Sequence, residues 1–332
     1  MSLRQSGIRL SSFAAMCTAT MLAFPTAIHA ATETFVPTPI HYPGAVSTFA
    51  RGINNGGDIV GTFVCGSSGC TNPLTNELVP AGTHGFLLQD NVYLRIDVPG
   101  GTNTFARGIS DQAIIVGHYV VAGVTHGFVY SDGEYVYPID VPAEMFDHPA
   151  STSRQSMPIR ISPQGDIVGC FHEDNMQMTT MHGWRLHHGV FTILKTPHED
   201  DAESRDPDTM TNGISPTGDI VGFYLSDGVS YVASQDRIVT TFTFDGRFTL
   251  AWDVNARGDV VGVVGDNQAM TVGQAINPRG FLRTKDGQYR ELHVEGSSVT
   301  QVNGINARRD IVGQYTVAGV SRGFVYRLSR GN

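Results

Sequence analysis

The chain has 332 residues, with 38 Gly, 16 Pro, 16% charged residues and a formal net charge of −9. This composition favours short β-strands joined by tight turns, and outside residues 1–30 no apolar stripe has the helical period. The acidic balance argues against nucleic acid as a partner and against docking on anionic membranes.

Residues 1–30 have the pattern of a secretory signal peptide. Arg4 and Arg9 supply the positive start, residues 12–24 are apolar, and Ile28-His29-Ala30 forms a plausible cleavage site. The apolar stretch is short for a membrane span, although a retained anchor is the alternative. Removal takes two Arg and no acid, so the net charge moves from −9 to −11. We therefore expect a soluble protein, secreted to the periplasm or the exterior, without membrane insertion.

Three cysteines remain after residue 30. Cys65 and Cys70 bracket Gly-Ser-Ser-Gly, a flexible spacer that allows a disulfide in an oxidising compartment. A metal site is the rival interpretation, but no His or third Cys lies within four residues of this pair. Cys170 is expected to be a small buried hydrophobe.

One stretch, first seen at residues 50–63, recurs along residues 31–332. Each copy has Ile or Val followed eight residues later by Gly, and these glycines are Gly61, Gly117, Gly169, Gly222, Gly262 and Gly313. In the second copy, the predicted strands are residues 104–110, 114–121, 125–130 and 135–141. Four strands joined by short turns form an antiparallel meander, and repeats of this size are the blades of a β-propeller.

The two ends of the repeat region complement each other. The last copy stops after its third strand, at residues 323–328, whereas Pro39-Ile40-His41 near the start aligns with the fourth strand at Pro138-Ile139-Asp140. We therefore predict an all-β, six-bladed β-propeller of four-stranded meanders, whose last blade is closed by the N-terminal strand. Closure removes the free sheet edges that invite aggregation.

The recurring strings Gly-Ile-Asn, Gly-Asp-Ile-Val-Gly, His-Gly-Phe and Ile-Asp-Val-Pro-Gly resemble the bacterial extracellular repeats of the HAF family. The resemblance covers residues from about Phe35 to Leu328 and implies a secreted repeat protein; the family has no established activity. The chain departs from the pattern at Arg160 and Asp253, where Gly is usual, and at Tyr231, where His-Gly-Phe is lost.

Residues repeated in most copies are first explained by the fold. An Asp follows a Gly turn in five copies (Asp58, Asp166, Asp219, Asp259 and Asp310), where its carboxylate can accept hydrogen bonds from the turn amides. Asp253-Val254-Asn255 with Asp259 weakly resembles a calcium loop, but Arg257 occupies a position that needs an oxygen ligand. We expect no cofactor, with calcium as a weak alternative. The repeated His (His84, His126 and His182) is expected to be packed and hydrogen-bonded.

Candidate ligand-binding residues are found where the repeat is broken. The position two residues before the motif Ile or Val varies between copies, as Arg51, Arg107, Ile159, Asn212, Trp252 and Asn303. If this strand is innermost, these side chains surround the channel. Arg, Asn and Trp together suit a polar or carbohydrate-like ligand, with Trp252, beside Asp253, stacking on an apolar sugar face. The alternative is that they are ordinary strand residues facing the next sheet.

Insertions at residues 64–83, 142–158 and 196–211 also break the period. The most acidic includes His198, Glu199 and Asp200, and His172 and Glu173 lie in a neighbouring link. These loops are either solvated or supply a cation site or an acid/base pair over the channel.

Three functions remain open. The first is a monomeric binding module for a glycan, a polymer or an exported protein. The second is an extracellular polysaccharide hydrolase or lyase with a site built from loops, and the third is a structural role. No nucleotide-binding loop, HExxH or GxSxG motif is present in the sequence.

Overall fold

The structure is a computed structural model. It describes residues 35–72, 75–146, 154–172, 181–194, 209–224, 228–234, 237–267 and 274–327. These residues form six four-stranded antiparallel sheets, and the innermost strand of each sheet contacts the innermost strand of the next around a closed ring. The predicted six-bladed β-propeller is confirmed. None of the helices in these ranges has the length and hydropathy that a membrane crossing requires.

The blades are numbered in the chain order of their innermost strands. The strands of each blade are given from the axis outward. Blade 1 contains β2 (Ser47–Ile53), β3 (Ile59–Cys65), β6 (Gly82–Gln89) and β7 (Val92–Ile96). Its loop between β3 and β6 carries a small hairpin, β4 (Cys70–Thr71) and β5 (Leu78–Val79). Blade 2 contains β8 (Asn103–Ile109), β9 (Ile115–Val121), β10 (Val124–Ser131) and β11 (Glu134–Val136), followed by a 3₁₀ turn, η1 (Ala143–Met145).

The remaining blades repeat this order. Blade 3 contains β12 (Gln155–Ile161), β13 (Ile167–His172), β14 (Met181–His187) and β15 (Val190–Ile193). Blade 4 contains β16 (Thr209–Ile214), β17 (Ile220–Tyr224), β18 (Val229–Ser234) and β19 (Arg237–Phe242). Blade 5 contains β20 (Thr249–Val254), β21 (Val260–Val264), β22 (Arg279–Arg283) and β23 (Tyr289–Leu292). Blade 6 contains β24 (Val299–Ile305), β25 (Ile311–Val317), β26 (Val320–Tyr326) and, outermost, β1 (Thr38–Ile40).

The N-terminal strand closes blade 6, as the sequence predicts. β1 pairs antiparallel with β26, with Thr38 opposite Val325 and Ile40 opposite Gly323. Just before β1, the ring of Phe35 packs 4.6 Å from the ring of Tyr326. The ring of blades is therefore closed by hydrogen bonds and apolar contacts between the two ends of the chain.

The motif glycine of each second strand makes room for a large side chain of the third strand. A Cβ at Gly61 would lie 2.0 Å from the carbonyl oxygen of Phe49 and 2.8 Å from the ring of Phe86. Phe86 is fully buried opposite this glycine, and so are its equivalents Phe128, Trp184, Tyr231, Phe281 and Phe324. The glycine recurs because every blade packs the same bulky residue across it. Tyr231 keeps this role in blade 4, and its hydroxyl hydrogen-bonds Thr211.

The repeated Asp has a structural role, with different partners from those expected. The amide of Asp58 donates to Asn54 Oδ1, while the Asp58 carboxylate accepts from Asn54 Nδ2 at 2.9 Å. The first residue of the turn therefore satisfies the amide, and the Asp holds that residue in place. Asn54 also donates to the carbonyl oxygen of Ser110 in the next blade, so these turns tie neighbouring blades together.

Candidate functional site

The propeller has two faces that are defined by the direction of its strands. The links between first and second strands lie on one face, here called the turn face, at residues 54–58, 110–114, 162–166, 215–219, 255–259 and 306–310. The links between second and third strands, and those between blades, lie on the opposite face. The strands that flank all three sequence insertions end on this opposite face, which we call the insertion face.

The loop candidates are only partly described. His172 ends β13 on the insertion face, where it pairs with Met181. Glu173, His198, Glu199 and Asp200 lie outside the described residues. The Cys65–Cys70 disulfide is present and joins the end of β3 to β4 on the same face. Cys170 is buried, which raises the pKa of its thiol to about 12, so it is unreactive as expected.

The variable positions before the motif Ile or Val share one backbone feature. The register between the first two strands of each blade shifts there, so the strand carries one extra residue: Arg51, Arg107, Ile159, Asn212, Trp252 and Asn303. Such a β-bulge redirects the side chain of the extra residue. Because the first strand is innermost, all six bulges surround the propeller axis.

The residue after each bulge lies at the narrowest part of the channel. Four blades have Gly there, and a Cβ on Gly108 would lie 2.7 Å from the carbonyl oxygen of Ile159 in the next blade. A Cβ on Gly213 would lie 2.7 Å from the Cα of Asp253. At Gly52, Gly108 and Gly213 the backbone of the next blade is therefore too close for a side chain, and at Gly304 the space is tight. The two side chains that are present at this level belong to Arg160 and Asp253.

Arg160 and Asp253 form a plug across the channel. Nη1 of Arg160 donates to the carbonyl oxygen of Arg107 at 2.6 Å, and Nη2 donates to the carbonyl oxygens of Arg51, at 2.8 Å, and of Asn303. Nε of Arg160 lies 3.3 Å from Oδ1 of Asp253. One buried guanidinium thus joins the bulges of blades 1, 2 and 6 to the acid of blade 5.

Asp253 is held in the plug from both sides. Its Oδ1 accepts from the amide of Val254 at 3.0 Å, and its Oδ2 accepts from the amide of Ile305 at 3.1 Å. Burial raises the pKa of Asp253, while Arg160 and these two amides act in the opposite direction. The structure therefore gives Asp253 internal partners. Asn212 and Asn303 also bond across blades, since their amide nitrogens donate to the carbonyl oxygens of Ala251 and Ala50.

On the turn-face side of the plug, the channel is a small funnel. Its volume is about 60 Å³, and its floor is formed by Arg160 and Asp253. A cavity needs about 10–15 Å³ of this kind of space to hold one water, so this funnel has room for a few waters.

On the insertion-face side, three of the predicted residues line an axial chamber. We define this chamber by Arg51, Arg107, Trp252 and His118. The guanidinium carbons of Arg51 and Arg107 lie 5.3 Å and 5.8 Å from the ring centres of Phe49 and Phe105, which lie nearer the insertion face. His118 stacks on Phe105 at 4.6 Å, and the ring of Trp252 meets Phe223 edge-on at 5.9 Å. Arg51, Arg107 and Trp252 are partly exposed although they lie on innermost strands, so solvent reaches this space.

The chamber holds polar atoms that have no hydrogen-bond partner within the described ranges of the chain. They are Nε of Arg51, Nε of Arg107, Nδ1 of His118 and Nε1 of Trp252. Burial lowers the pKa of Arg51, and the neighbouring charges of Arg107 and Arg160 lower it further. Burial also lowers the pKa of Arg107, to about 10, and that of His118 to well below its usual value. His118 is therefore a neutral imidazole near two charged guanidinium groups.

A calcium site finds no support in the described geometry. In the stretch that weakly resembles a calcium loop, Asp253 pairs with Arg160 and Asp259 pairs with Arg309 at 2.7 Å, so an arginine already neutralises each carboxylate. No group of three acids, His or Cys suited to a metal occurs among the residues that the structure describes. Two of the repeated His side chains are structural, because Nδ1 of His84 and of His126 lies 2.9 Å and 2.7 Å from Asp97 and Asp140.

The sequence patterns did not indicate His118 as a residue of the chamber or Arg160 as part of the plug. His118 occupies a second-strand position where the other blades have Thr62, Cys170, Phe223, Val263 and Gln314, so nothing in the repeat marks it. Arg160 could have been found, because it and Asp253 are the two residues that replace Gly at one repeat position, with opposite charges.

No known protein-family model matches this chain, and no curated protein matches its sequence. Solved structures do match. A calcium-binding regucalcin from Agrobacterium tumefaciens has a TM-score of 0.51 and 10% identity, over 88% of this chain and 94% of the other. Virginiamycin B lyase from Staphylococcus aureus has a TM-score of 0.46 and 9% identity, over 89% of each chain. A gluconolactonase from Xanthomonas campestris has a TM-score of 0.43 and 9% identity, over 88% of this chain and 94% of the other. At these identities the likeness shows the propeller fold alone, and the HAF resemblance rests on the sequence motifs.

Proposed function

We propose that the protein is an exported binding module for a glycan or another polymer. A segment of the ligand enters from the insertion face and binds in the axial chamber. The observation that carries this proposal is that Arg51, Arg107, His118 and Trp252 each have a buried nitrogen atom with no partner among the described residues, and that three of these four side chains are partly exposed near the axis. Buried polar groups normally have partners, and a binding site is a common exception because the ligand supplies them. Trp252 adds an apolar surface of the kind that stacks on sugar rings.

The plug favours binding at one mouth over passage through the ring. Arg160 and Asp253 block the axis, and the funnel beyond them has a volume of only about 60 Å³. A ligand that enters from the insertion face can therefore reach no further along the axis than the plug. The strands that flank the sequence insertions end on the same face.

Export is supported by two features. Residues 1–30 have the signal-peptide pattern, and Cys65 and Cys70 are joined in a disulfide. Disulfides of this kind persist in oxidising compartments such as the periplasm and the exterior. A polymer met outside the cytoplasm is therefore the proposed partner.

The binding test uses residues 31–332 on an array of glycans and soluble polymers. We expect a signal that falls about tenfold or more in Trp252→Ala, because a stacked aromatic contributes on the order of 1–3 kcal/mol to binding. Leu94→Ala, on an outer strand of blade 1, is the matched control for loss of a partly exposed apolar side chain. Equal binding by Trp252→Ala would contradict the proposed site. Product release from a bound polymer would instead support the hydrolase or lyase alternative, which would need acids such as Glu173, Glu199 or Asp200.

A further inference from the structure

Among the residues that the structure describes, the axial chamber has an excess of buried positive charge. Three guanidinium groups lie close together, because the charges of Arg107 and Arg160 lower the pKa of Arg51, and the charge of Arg160 lowers the pKa of Arg107. The carboxylate beside them is Asp253, and it pairs with Arg160. Arg51 and Arg107 have no ion pair among the described residues. Two like charges in a partly desolvated space are stabilised by an anion that binds between them.

The geometry of these two arginines suits a shared anion. They occupy the same bulge position on blades 1 and 2, which are neighbours in the ring. Each lies over the Phe two residues before it, Phe49 or Phe105, so the two side chains leave the bulges in the same way. Each Nε is buried and has no partner in the described chain, so the Nε–Nη edge of each guanidinium group lacks a protein acceptor at Nε. That edge binds a carboxylate with two parallel hydrogen bonds.

The opposite wall of the chamber is apolar and aromatic. Trp252 belongs to blade 5, which faces blade 2 across the six-bladed ring. It packs in one cluster with Phe223 and Met210. A ligand on the axis thus has guanidinium groups on one side and an aromatic surface on the other. A sugar ring that carries a carboxylate matches both walls at once.

We infer that the bound ligand is an acidic saccharide of the uronate class, whose carboxylate is received by Arg51 and Arg107 while its ring lies against Trp252. This deepens the proposed function and rests on it. His118, neutral and stacked on Phe105, offers a further ring nitrogen to the same carboxylate or to a neighbouring hydroxyl. Its neutral form avoids adding a third positive charge to this wall.

The test compares immobilised pectate, alginate and hyaluronate with the same polymers after chemical reduction of their carboxyl groups to alcohols. Reduction keeps the sugar ring and removes the anion. We expect binding of at least one uronate polymer, with affinity about 10- to 100-fold lower after reduction, as for the loss of a charge-assisted bidentate contact. Arg51→Met and Arg107→Met should each weaken binding of the acidic form to a similar extent. Arg257→Met, an exposed arginine on the turn face, is the control and should bind as the wild type does.

A second readout excludes misfolding as the cause. Loss of one of two repelling arginines should leave the melting temperature of the free protein unchanged or raised, and added galacturonate should raise it in the wild type but not in Arg107→Met. Equal binding of native and reduced polymers would overturn the acidic class while leaving the proposed function in place. Stronger competition by inorganic phosphate than by galacturonate would also overturn it, in favour of a phosphorylated ligand. If no native or reduced polymer binds, and no ligand on the wider array of glycans and soluble polymers gives a signal, both proposals are refuted.

Discussion

The plug formed by Arg160 and Asp253 is a central feature of the structure, and the variant Asp253→Asn tests it. Asn keeps the shape of Asp253 but removes the charge that faces Nε of Arg160, 3.3 Å away. Breaking a buried ion pair from one side costs about 3–5 kcal/mol. The lower end applies here, because Arg160 keeps its backbone carbonyl acceptors and the Asn oxygen can still accept one of the two amides. We therefore expect a loss of about 3 kcal/mol in the free energy of unfolding.

Urea unfolding followed by circular dichroism measures this loss, with the slope of the transition compared between variants to check that one cooperative step is observed. Asp132→Asn, in an exposed hairpin turn of blade 2, is the matched control and should change stability by less than about 0.5 kcal/mol. Arg160→Met and the double variant complete a cycle, in which the double variant should be at least about 1 kcal/mol more stable than the sum of the single effects. A small effect of Asp253→Asn, or strict additivity, would refute the plug.

Three further predictions concern the ring itself. Removal of residues 31–44, which include β1, should lower the urea midpoint markedly because blade 6 loses its outer strand; an unchanged midpoint would contradict closure. Gly108→Ala should cost about 1–3 kcal/mol, since its Cβ would lie 2.7 Å from backbone, whereas Gly66→Ala, with its nearest contact at 3.4 Å, should cost less. Arg309→Gln should lose about 1 kcal/mol near neutral pH. Burial raises the pKa of Asp259, but the hydrogen bonds from Arg309 and Asn255 outweigh it and the pKa is lowered from 3.8. This contribution is complete above that unfolded value and is lost as the pH falls through the folded pKa, so wild type and variant should converge in acid; a constant difference would refute the pairing.

The blades and their closure were predictable because the same local packing and hydrogen-bonding requirements recur in every blade. Gly61 and its equivalents recur because Phe86 and its equivalents need the space, and Asn54 with Asp58 recurs because each turn needs its amides satisfied. Such contacts involve residues that are near in sequence or lie at one repeat spacing. By the same repetition, the alignment of Pro39-Ile40 with the fourth strand of another copy indicated that this segment pairs with β26.

The site was only partly predictable, because its contacts are made between blades that are distant in the chain. The sequence indicated Arg51, Arg107 and Trp252 as residues around the axis, and the bulges explain why those positions differ from the rest of the strand. It did not indicate that Asp253 is paired internally, since Arg160 lies 253 − 160 = 93 residues away. Pairing of this kind follows from the ring geometry, which brings all six bulges to one axis.

Trp252 fluorescence provides the most direct test of ligand binding in the axial chamber. The chain has two Trp, and Trp184 is fully buried in blade 3, so a ligand in the chamber should change the emission of Trp252 alone. Titration of residues 31–332 with a uronate oligosaccharide should give a saturable change in emission and protect the fluorophore from acrylamide. The same change should be absent in Trp252→Phe and weakened in Arg107→Met. Saturable binding in solution with no change in Trp252 emission or quenching would place the ligand elsewhere and contradict the account.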